Sequence, residues 1–290
     1  MKILVIGSNG QLGKCLIDQF KFTDFNTFYT SRSDIDISDF YASNKIIKEI
    51  QPNIIINAAA YTAVDKAEIE KEKAYLLNKD AVKNLSNICS DINCWLIHIS
   101  TDYVFDGKSN IPYTENDSVN PQSTYGSSKL AGEIAIKESG CKYVIIRTSW
   151  VFSNYGVNFM NTMLKLAKTN DNIEIVNDQF GCPTYGHDLA KAIISIISVI
   201  NKNTLLSGTY NFCGDKLCSW FEFANTIFSE LSFMSKKIPP SIRATPSTNY
   251  KTLAVRPAYS ALDCSKINKY FGISTSNWKE GIKDAIIKNS

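Results

Sequence analysis

The sequence predicts an α/β fold, a doubly wound parallel sheet followed by a smaller C-terminal α/β lobe, and three observations carry that expectation. Continuous apolar runs bounded by turn residues alternate with segments of helical period over the first half, as strands buried on both faces between helices require. Glycines directly follow the first apolar run. After Trp150 the rhythm breaks and the segments become short and irregular.

Taken in order, ILVI at 3–6 reads as a strand, and Leu12, Cys15, Leu16 and Phe20 are spaced for one helix face. NTFYT, a helix near 38–50 and the strand IIIN at 54–57 continue the alternation. Helices around 66–92 lead to the strand WLIHIS, a loop from Thr101 to about Asn120, a helix from about Ser123 to Glu138, and the strand YVIIRTS. Beyond it come a helix near 157–169, the short strand IEIV, the loop DQFGCPT, an apolar helix near 188–200, GTYNF, and a helix near 219–233. Residues 236–260 hold Pro239, Pro240, Pro246 and Pro257, too many for a long helix, and read as loop with short strands. The expected division is a dinucleotide-binding unit over 1–149, with segments near 173–212 returning to it, and a substrate lobe over most of 150–290.

Composition excludes several classes. The 290 residues are 44% hydrophobic and 20% charged, enough for one large core and a smaller lobe. The net charge of +3 comes from 31 basic and 28 acidic residues scattered along the chain, with no basic run interleaved with aromatics, so nucleic-acid binding is not expected. The opening MKILVIG is too short for a secretory core, and no stretch approaches the roughly 20 apolar residues that span a bilayer, so a cytoplasmic protein is expected. The eight cysteines occur singly, which suits reduced core residues. His98 and His187 are the only histidines, too few for a histidine metal site or a Ser-His-Asp triad, and His98 in WLIHIS reads as a satisfied core residue.

Gly7, Gly10 and Gly13 in GSNGQLG stand at the first strand-to-helix junction, where a tight turn and a helix N-terminus present N–H groups to a pyrophosphate in a Rossmann arrangement. Their spacing is GxxGxxG, not GxGxxG, and alone it fits a simple tight turn. Ser31 and Arg32 occupy the place after the second strand where an NAD enzyme usually carries an acid; Arg32 suits a 2′-phosphate, pointing to NADPH with NADH as the alternative, and fits a solvated loop residue nearly as well. Asp36 is placed to accept from an adenine amino group and Ile37 to pack on the ring. Small side chains at Ala58, Ala59 and Ala60 let a cofactor approach the sheet edge, with Thr62 able to bond ribose or phosphate, although the run by itself also fits helix-sheet packing.

Tyr125 and Lys129 lie four apart on a helix and share a face. A nearby ammonium favours the phenolate and lowers a tyrosine pKa, while Thr101 after WLIHIS can donate a second hydrogen bond to a substrate oxygen. YxxxK alone occurs by chance in many proteins. Joined with Thr101 and the glycine turn, it resembles the extended short-chain dehydrogenase/reductase superfamily.

The motifs ISTDYVFDG (99–107), NPQSTYGSSKLAGE (120–133), RTSWVF (147–152), NDQFGCPT (177–184) and RPAYSALD (256–263) are similar to those of the dTDP-4-dehydrorhamnose reductase family over almost the whole chain. That resemblance implies reduction of the 4-keto group of a dTDP-4-dehydro-6-deoxy sugar by NADPH or NADH, giving dTDP-L-rhamnose. It implies Thr101, Tyr125 and Lys129 as the catalytic trio, with Tyr125 protonating the C4 oxygen. It places Gly7, Asn9, Gly10, Gln11, Leu12, Asp36, Ala58, Ala59, Ala60 and Thr62 at the cofactor, and Val64, Asp102, Tyr103 and Trp150 at the sugar and nucleotide, although Trp150 also fits a core position. Arg256 suits either the substrate diphosphate or a structural ion pair. Some members of the family form dimers through Mg²⁺ held by glutamates, but the corresponding stretches here read GKCLIDQF and TYGHDLA, with only Asp18 and Asp188, so Mg²⁺ is not expected and the chain is read as monomer or homodimer. A nucleotide-sugar dehydratase carries Asp-Glu after the threonine, whereas Asp102 and Tyr103 follow Thr101. A related reductase or epimerase and a non-catalytic NADP-binding regulatory subunit remain the alternatives.

Overall fold

The computed structural model describes residues 1–200, 204–235 and 239–289. β1 (Lys2–Ile6), α1 (Gln11–Phe20), β2 (Asn26–Thr30), α2 (Phe40–Ile50) and β3 (Ile54–Asn57) open the chain. Two short helices, α3 (Val64–Ala67) and α4 (Lys71–Tyr75), run through a π-helical turn at Leu76–Asp80 into α5 (Ala81–Asp91). β4 (Trp95–Thr101), α6 (Thr124–Glu138), β5 (Lys142–Thr148), β6 (Val151–Phe152), α7 (Phe159–Leu166), β7 (Asn172–Val176), β8 (Phe180–Gly181) and β9 (Thr184–Tyr185) follow. The chain continues through α8 (Gly186–Ile200), β10 (Gly208–Asn211), β11 (Cys218–Ser219), α9 (Trp220–Ser235), β12 (Ser241–Thr245), α10 (Ser265–Phe271) and α11 (Trp278–Asn289).

Six parallel strands form the main sheet in the order β10-β5-β4-β3-β1-β2. Strand alternation sorts the apolar runs onto its two faces. Ile3, Val5, Ile54, Ile56, Ile97, Val144 and Ile146 pack with α1 and α8 on one side. Leu4, Ile6, Ile55, Leu96 and Ile145 pack with α2, α5 and Ile136 of α6 on the other. Each buried aliphatic side chain contributes about 1.5–3 kcal/mol, which is why runs apolar at every position form this sheet. Helix starts follow local chemistry: Asp39 accepts from Ala42 N at 2.9 Å, Ser123 from Gly126 N at 3.1 Å and Asn158 from Asn161 N at 2.9 Å.

β10 closes one edge of the sheet beside β5, and α8 packs along α1, so two elements beyond Trp150 belong to the main body. β7, however, pairs with β12 and not with the main sheet, so the expected return of segments near 173–212 does not include this strand. A second apolar cluster built from α7, α9 and α11, with Phe152 and Tyr185, fills the smaller lobe. α10 and α11 had no counterpart in the sequence reading. Of the proline-rich stretch, 236–238 lie outside the described residues, and β12 and a 3-10 turn at Ser247–Asn249 are the regular pieces beyond them. All eight cysteines are buried and unpaired. Among the described residues no helix is long and apolar enough to cross a membrane.

Candidate active site

β1 neighbours both β2 and β3, so the chain reverses direction across the sheet at β1, and the crevice at the carboxyl ends of β1 and β3 is where such sheets bind ligands. Gly7 stands there with φ +84°, and a Cβ on it would lie 2.8 Å from Ala59 N, so only glycine permits this turn. Gly13 serves packing: a Cβ there would run into the Gly7 carbonyl and the Ser8 backbone, so glycine lets α1 start tightly against the turn. Gly10 caps α1 without any side-chain hydrogen bond, leaving the first N–H groups for a ligand.

A cleft of about 630 Å³ runs from this turn to the end of β4. It is lined by Gly7, Asn9, Gly10, Gln11 and Leu12, by Arg32, Asp36 and Ile37, and by Ala58, Ala59, Ala60 and Thr62. Thr101, Tyr125 and Lys129 line it together with Val64, Asp102, Tyr103 and Trp150. Two residues singled out from sequence do not line it, Gly13 and Arg256. Arg256 instead donates to Asp65 Oδ2 at 2.6 Å and to the Tyr103 hydroxyl at 3.3 Å, tying the C-terminal segment to α3. Arg32 bonds Asp36 through Nε at 3.1 Å yet is largely exposed. Ser38, ahead of Arg32, holds the Asp36 carboxyl below its usual range.

Trp150 has φ +48°, an uncommon backbone for a side chain of that bulk, and stacks on Trp220 with ring centroids 3.4 Å apart and planes within 6°. The pair, with Phe223 beneath, joins the cleft to the core of the smaller lobe.

Thr101 Oγ1 accepts from Tyr103 N at 3.2 Å and donates to Asp102 Oδ1 at 2.9 Å. Asp102 is 3% exposed, its Oδ2 has no hydrogen-bond partner, and burial pushes its carboxyl up to about 6 against the pull of Thr101 and Ser260. The Tyr125 ring meets Tyr103 edge-on at 5.5 Å. The Tyr125–Lys129 spacing predicts a lowered Tyr125 pKa; in the structure burial instead raises the phenol above its ordinary value, and only a hydrogen bond with Thr101 opposes it. Lys129 Nζ is occupied elsewhere, donating to the Ile99 carbonyl at 2.6 Å and lying 3.2 Å from His98 Nε2. Burial lowers the Lys129 ammonium to about 8, and Glu133 pulls it back up.

Sequence reasoning missed Asn57, Ser149, Val157, Asn158 and Leu189 as lining residues and did not connect His98 to the site. It also missed Asn78, in the π-helical turn, whose side chain bonds both Tyr61 N at 2.9 Å and Tyr61 O at 3.0 Å and so fixes the Ala58–Thr62 loop. The signal for His98 was present: strand period puts 98 and 100 on one face of β4, and helix period puts 129 and 133 on one face of α6.

A doubly wound sheet with a glycine turn at its reversal point and a Thr, Tyr, Lys set at the far end of the same cleft defines a dinucleotide-dependent reductase of the short-chain type. The family model for the RmlD substrate binding domain matches residues 1–290. The dTDP-4-dehydrorhamnose reductase of Aggregatibacter actinomycetemcomitans is 40% identical over 98% of this chain and 97% of its own length. The spore coat polysaccharide biosynthesis protein SpsK of Bacillus subtilis is 37% identical over 100% and 98%. Among solved structures, a dTDP-4-dehydrorhamnose reductase of Clostridium acetobutylicum superposes with a TM-score of 0.93 at 39% identity, covering 99% of each chain. The Bacillus anthracis dTDP-4-dehydrorhamnose reductase in complex with NADP has a TM-score of 0.92 at 35% identity, again over 99% of each. The chain belongs to the dTDP-4-dehydrorhamnose reductase family.

Proposed function

We propose that this chain reduces the 4-keto group of dTDP-4-dehydrorhamnose to dTDP-L-rhamnose with NADPH, as part of polysaccharide biosynthesis. The observation that carries the reading is the opening of Thr101, Tyr125 and Lys129 onto the same cleft as the Gly7 turn. The residues present fit a dinucleotide: Gly7 has no Cβ and the Ala58–Ala60 stretch carries nothing beyond a methyl group to block close approach, and the uncapped start of α1 suits a pyrophosphate. Gly7, Asn9, Gly10, Gln11 and Leu12 would hold the phosphates, Asp36 and Ile37 the adenine, and Thr62 the ribose, with Arg32 beside a 2′-phosphate. NADPH when bound supplies the hydride.

The chain's own task is the proton. Burial keeps the Tyr125 hydroxyl protonated at neutral pH, so it acts as a general acid toward the C4 oxygen. Thr101 joins as a second donor when its hydroxyl turns from Asp102 to that oxygen, a turn that protonation of Asp102 near pH 6 favours. Val64, Asp102, Tyr103 and Trp150 would receive the sugar and nucleotide, with Arg256 acting through Tyr103. Asp18 accepts from Tyr155 at 2.6 Å and Asp188 from Ser276 at 2.9 Å, and neither enters this reading as a metal ligand.

The test is to incubate the protein with the 4-keto sugar nucleotide and NADPH or NADH, follow loss of nicotinamide absorbance, and identify the sugar by NMR. Rhamnose formation with a higher kcat/KM for NADPH supports the reading. Equal efficiency with both cofactors removes the role of Arg32, and binding of NADPH without turnover makes the chain a regulatory subunit.

A further inference from the structure

His98 is fully buried, and each of its ring nitrogens faces one side chain. Nδ1 lies 3.2 Å from Asn57 Nδ2, and Nε2 lies 3.2 Å from Lys129 Nζ. The Asn57 amide is oriented by a third contact, since its Oδ1 accepts from Ala59 N at 3.1 Å. The nitrogen that faces the ring is therefore a donor only, so His98 Nδ1 accepts. A neutral imidazole whose Nδ1 accepts carries its proton on Nε2, and that N–H points at Lys129.

An ammonium has three donors and no lone pair, so against Nε2–H it meets a donor where it needs an acceptor. A neutral amine has the lone pair that this N–H requires, and still donates to the Ile99 carbonyl. The contact is thus complementary to only one protonation state of Lys129. We propose that Asn57 fixes His98 as the Nε2–H tautomer and that His98, a positioning residue, favours the neutral amine of Lys129 and thereby drives return of a proton to Tyr125.

The step rests on the proposed reduction. Tyr125 Oη gives its proton to the C4 oxygen and is left as phenolate. The Lys129 ammonium, one turn along α6, gives a proton to that phenolate. The resulting amine accepts from His98 Nε2–H, whose proton stays on the ring, and Lys129 regains a proton from water. The groups facing Lys129 are His98 and the Ile99 carbonyl from β4 and Glu133 from α6, with Arg147 and Lys137 behind Glu133, and Tyr125 stands one turn before it on α6. Burial and the Lys129 charge both hold the His98 ring neutral, as the tautomer argument needs.

Because the chain has only two histidines, nitrogen NMR of the imidazoles tests this directly, with His187→Asn assigning the signals. The expected result is an unprotonated Nδ1 and a protonated Nε2 for His98 from about pH 6 to 9. An Nδ1–H tautomer, or an imidazolium, overturns the proposal without reference to activity. Asn57→Asp turns the donor into an acceptor, moves the ring proton to Nδ1 and offers Nε2 to the ammonium. It should shift the basic limb of the kcat profile upward by about one pH unit, a tenfold change in Lys129 proton affinity. A flipped tautomer with an unmoved limb overturns the link to Lys129. Should the wild type show the expected tautomer but no reduction of the 4-keto sugar, the reprotonation role falls with the proposed function, and the fixed tautomer stands.

Discussion

Lys129 and Glu133 are one turn apart on α6, both are almost wholly buried, and both face β4, yet they are treated in opposite ways. Glu133 accepts from Ser100 Oγ at 2.6 Å and from Arg147 Nε and Nη2 at 2.9 and 2.7 Å. Against the desolvation that would raise it, Arg147 and Ser100 hold its carboxyl below the ordinary value. Lys129 has a carbonyl and a neutral ring and no carboxylate in contact, and its ammonium falls to about 8. Burial with complete pairing locks a charge; burial with neutral partners leaves a charge close to the pH at which acid-base catalysis operates. The first arrangement joins α6 to β4 and β5, and the second lies on the cleft.

This contrast can be broken from either side. On the reactive side, Tyr125→Phe removes the proposed acid, and kcat should drop by about 10²–10⁴-fold while NADPH binding persists. A loss below tenfold in single-turnover experiments would move the proton source away from Tyr125. On the locked side, Glu133→Gln leaves the Arg147 guanidinium buried without its counter-charge and should destabilise the fold by about 3–5 kcal/mol at neutral pH in urea titrations. Because the Glu133 pKa is lowered on folding, its contribution is present above the unfolded value of 4.5 and is lost as pH falls through the lower folded value. The gap between wild type and variant should therefore close in acid, and a gap that persists there would make the loss one of packing.

Asp102 sharpens the comparison with a smaller effect. Its carboxyl is raised from 3.8 to about 6, so its contribution is fully present below the unfolded value and is lost as pH rises through about 6. At pH above 7 the charged group costs about 3 kcal/mol, about two units of pKa. Asp102→Asn removes that cost and leaves an amide with an unmade bond worth about 1 kcal/mol, so a net gain of about 1–2 kcal/mol is expected, together with lower activity. Calorimetry across pH checks it: equal melting temperatures at pH 7.5 would show that Asp102 is already satisfied.

Much of the frame was legible because it is local or periodic. The alternation of Ile3 and Val5 against Leu4 and Ile6 assigns both faces of β1, and IIIN does the same for β3. The glycine turn, the Ser123 cap and the Tyr125–Lys129 spacing are features of neighbouring residues, so their elements followed from the chain itself. Other features were not legible, for the converse reason. Gly13 has the same residue type and spacing as its partners, and only the approach of α1 to the Gly7 carbonyl shows that it packs and does not line the cleft. Arg256 suited a diphosphate or an ion pair equally until Asp65, 191 positions away, was found against it.

What the sequence determined alone is the kind of site: a glycine-started cleft in a parallel sheet, with a threonine, a tyrosine and a lysine that are proposed to act on a carbonyl. What only the tertiary structure decided is the protonation state in which those groups rest. A pKa depends on desolvation and on partners brought together across the chain, as Asn57, His98 and Lys129 are, 41 and 31 residues apart. Residue spacing places Lys129 beside Tyr125, and burial and His98 set what that lysine can do.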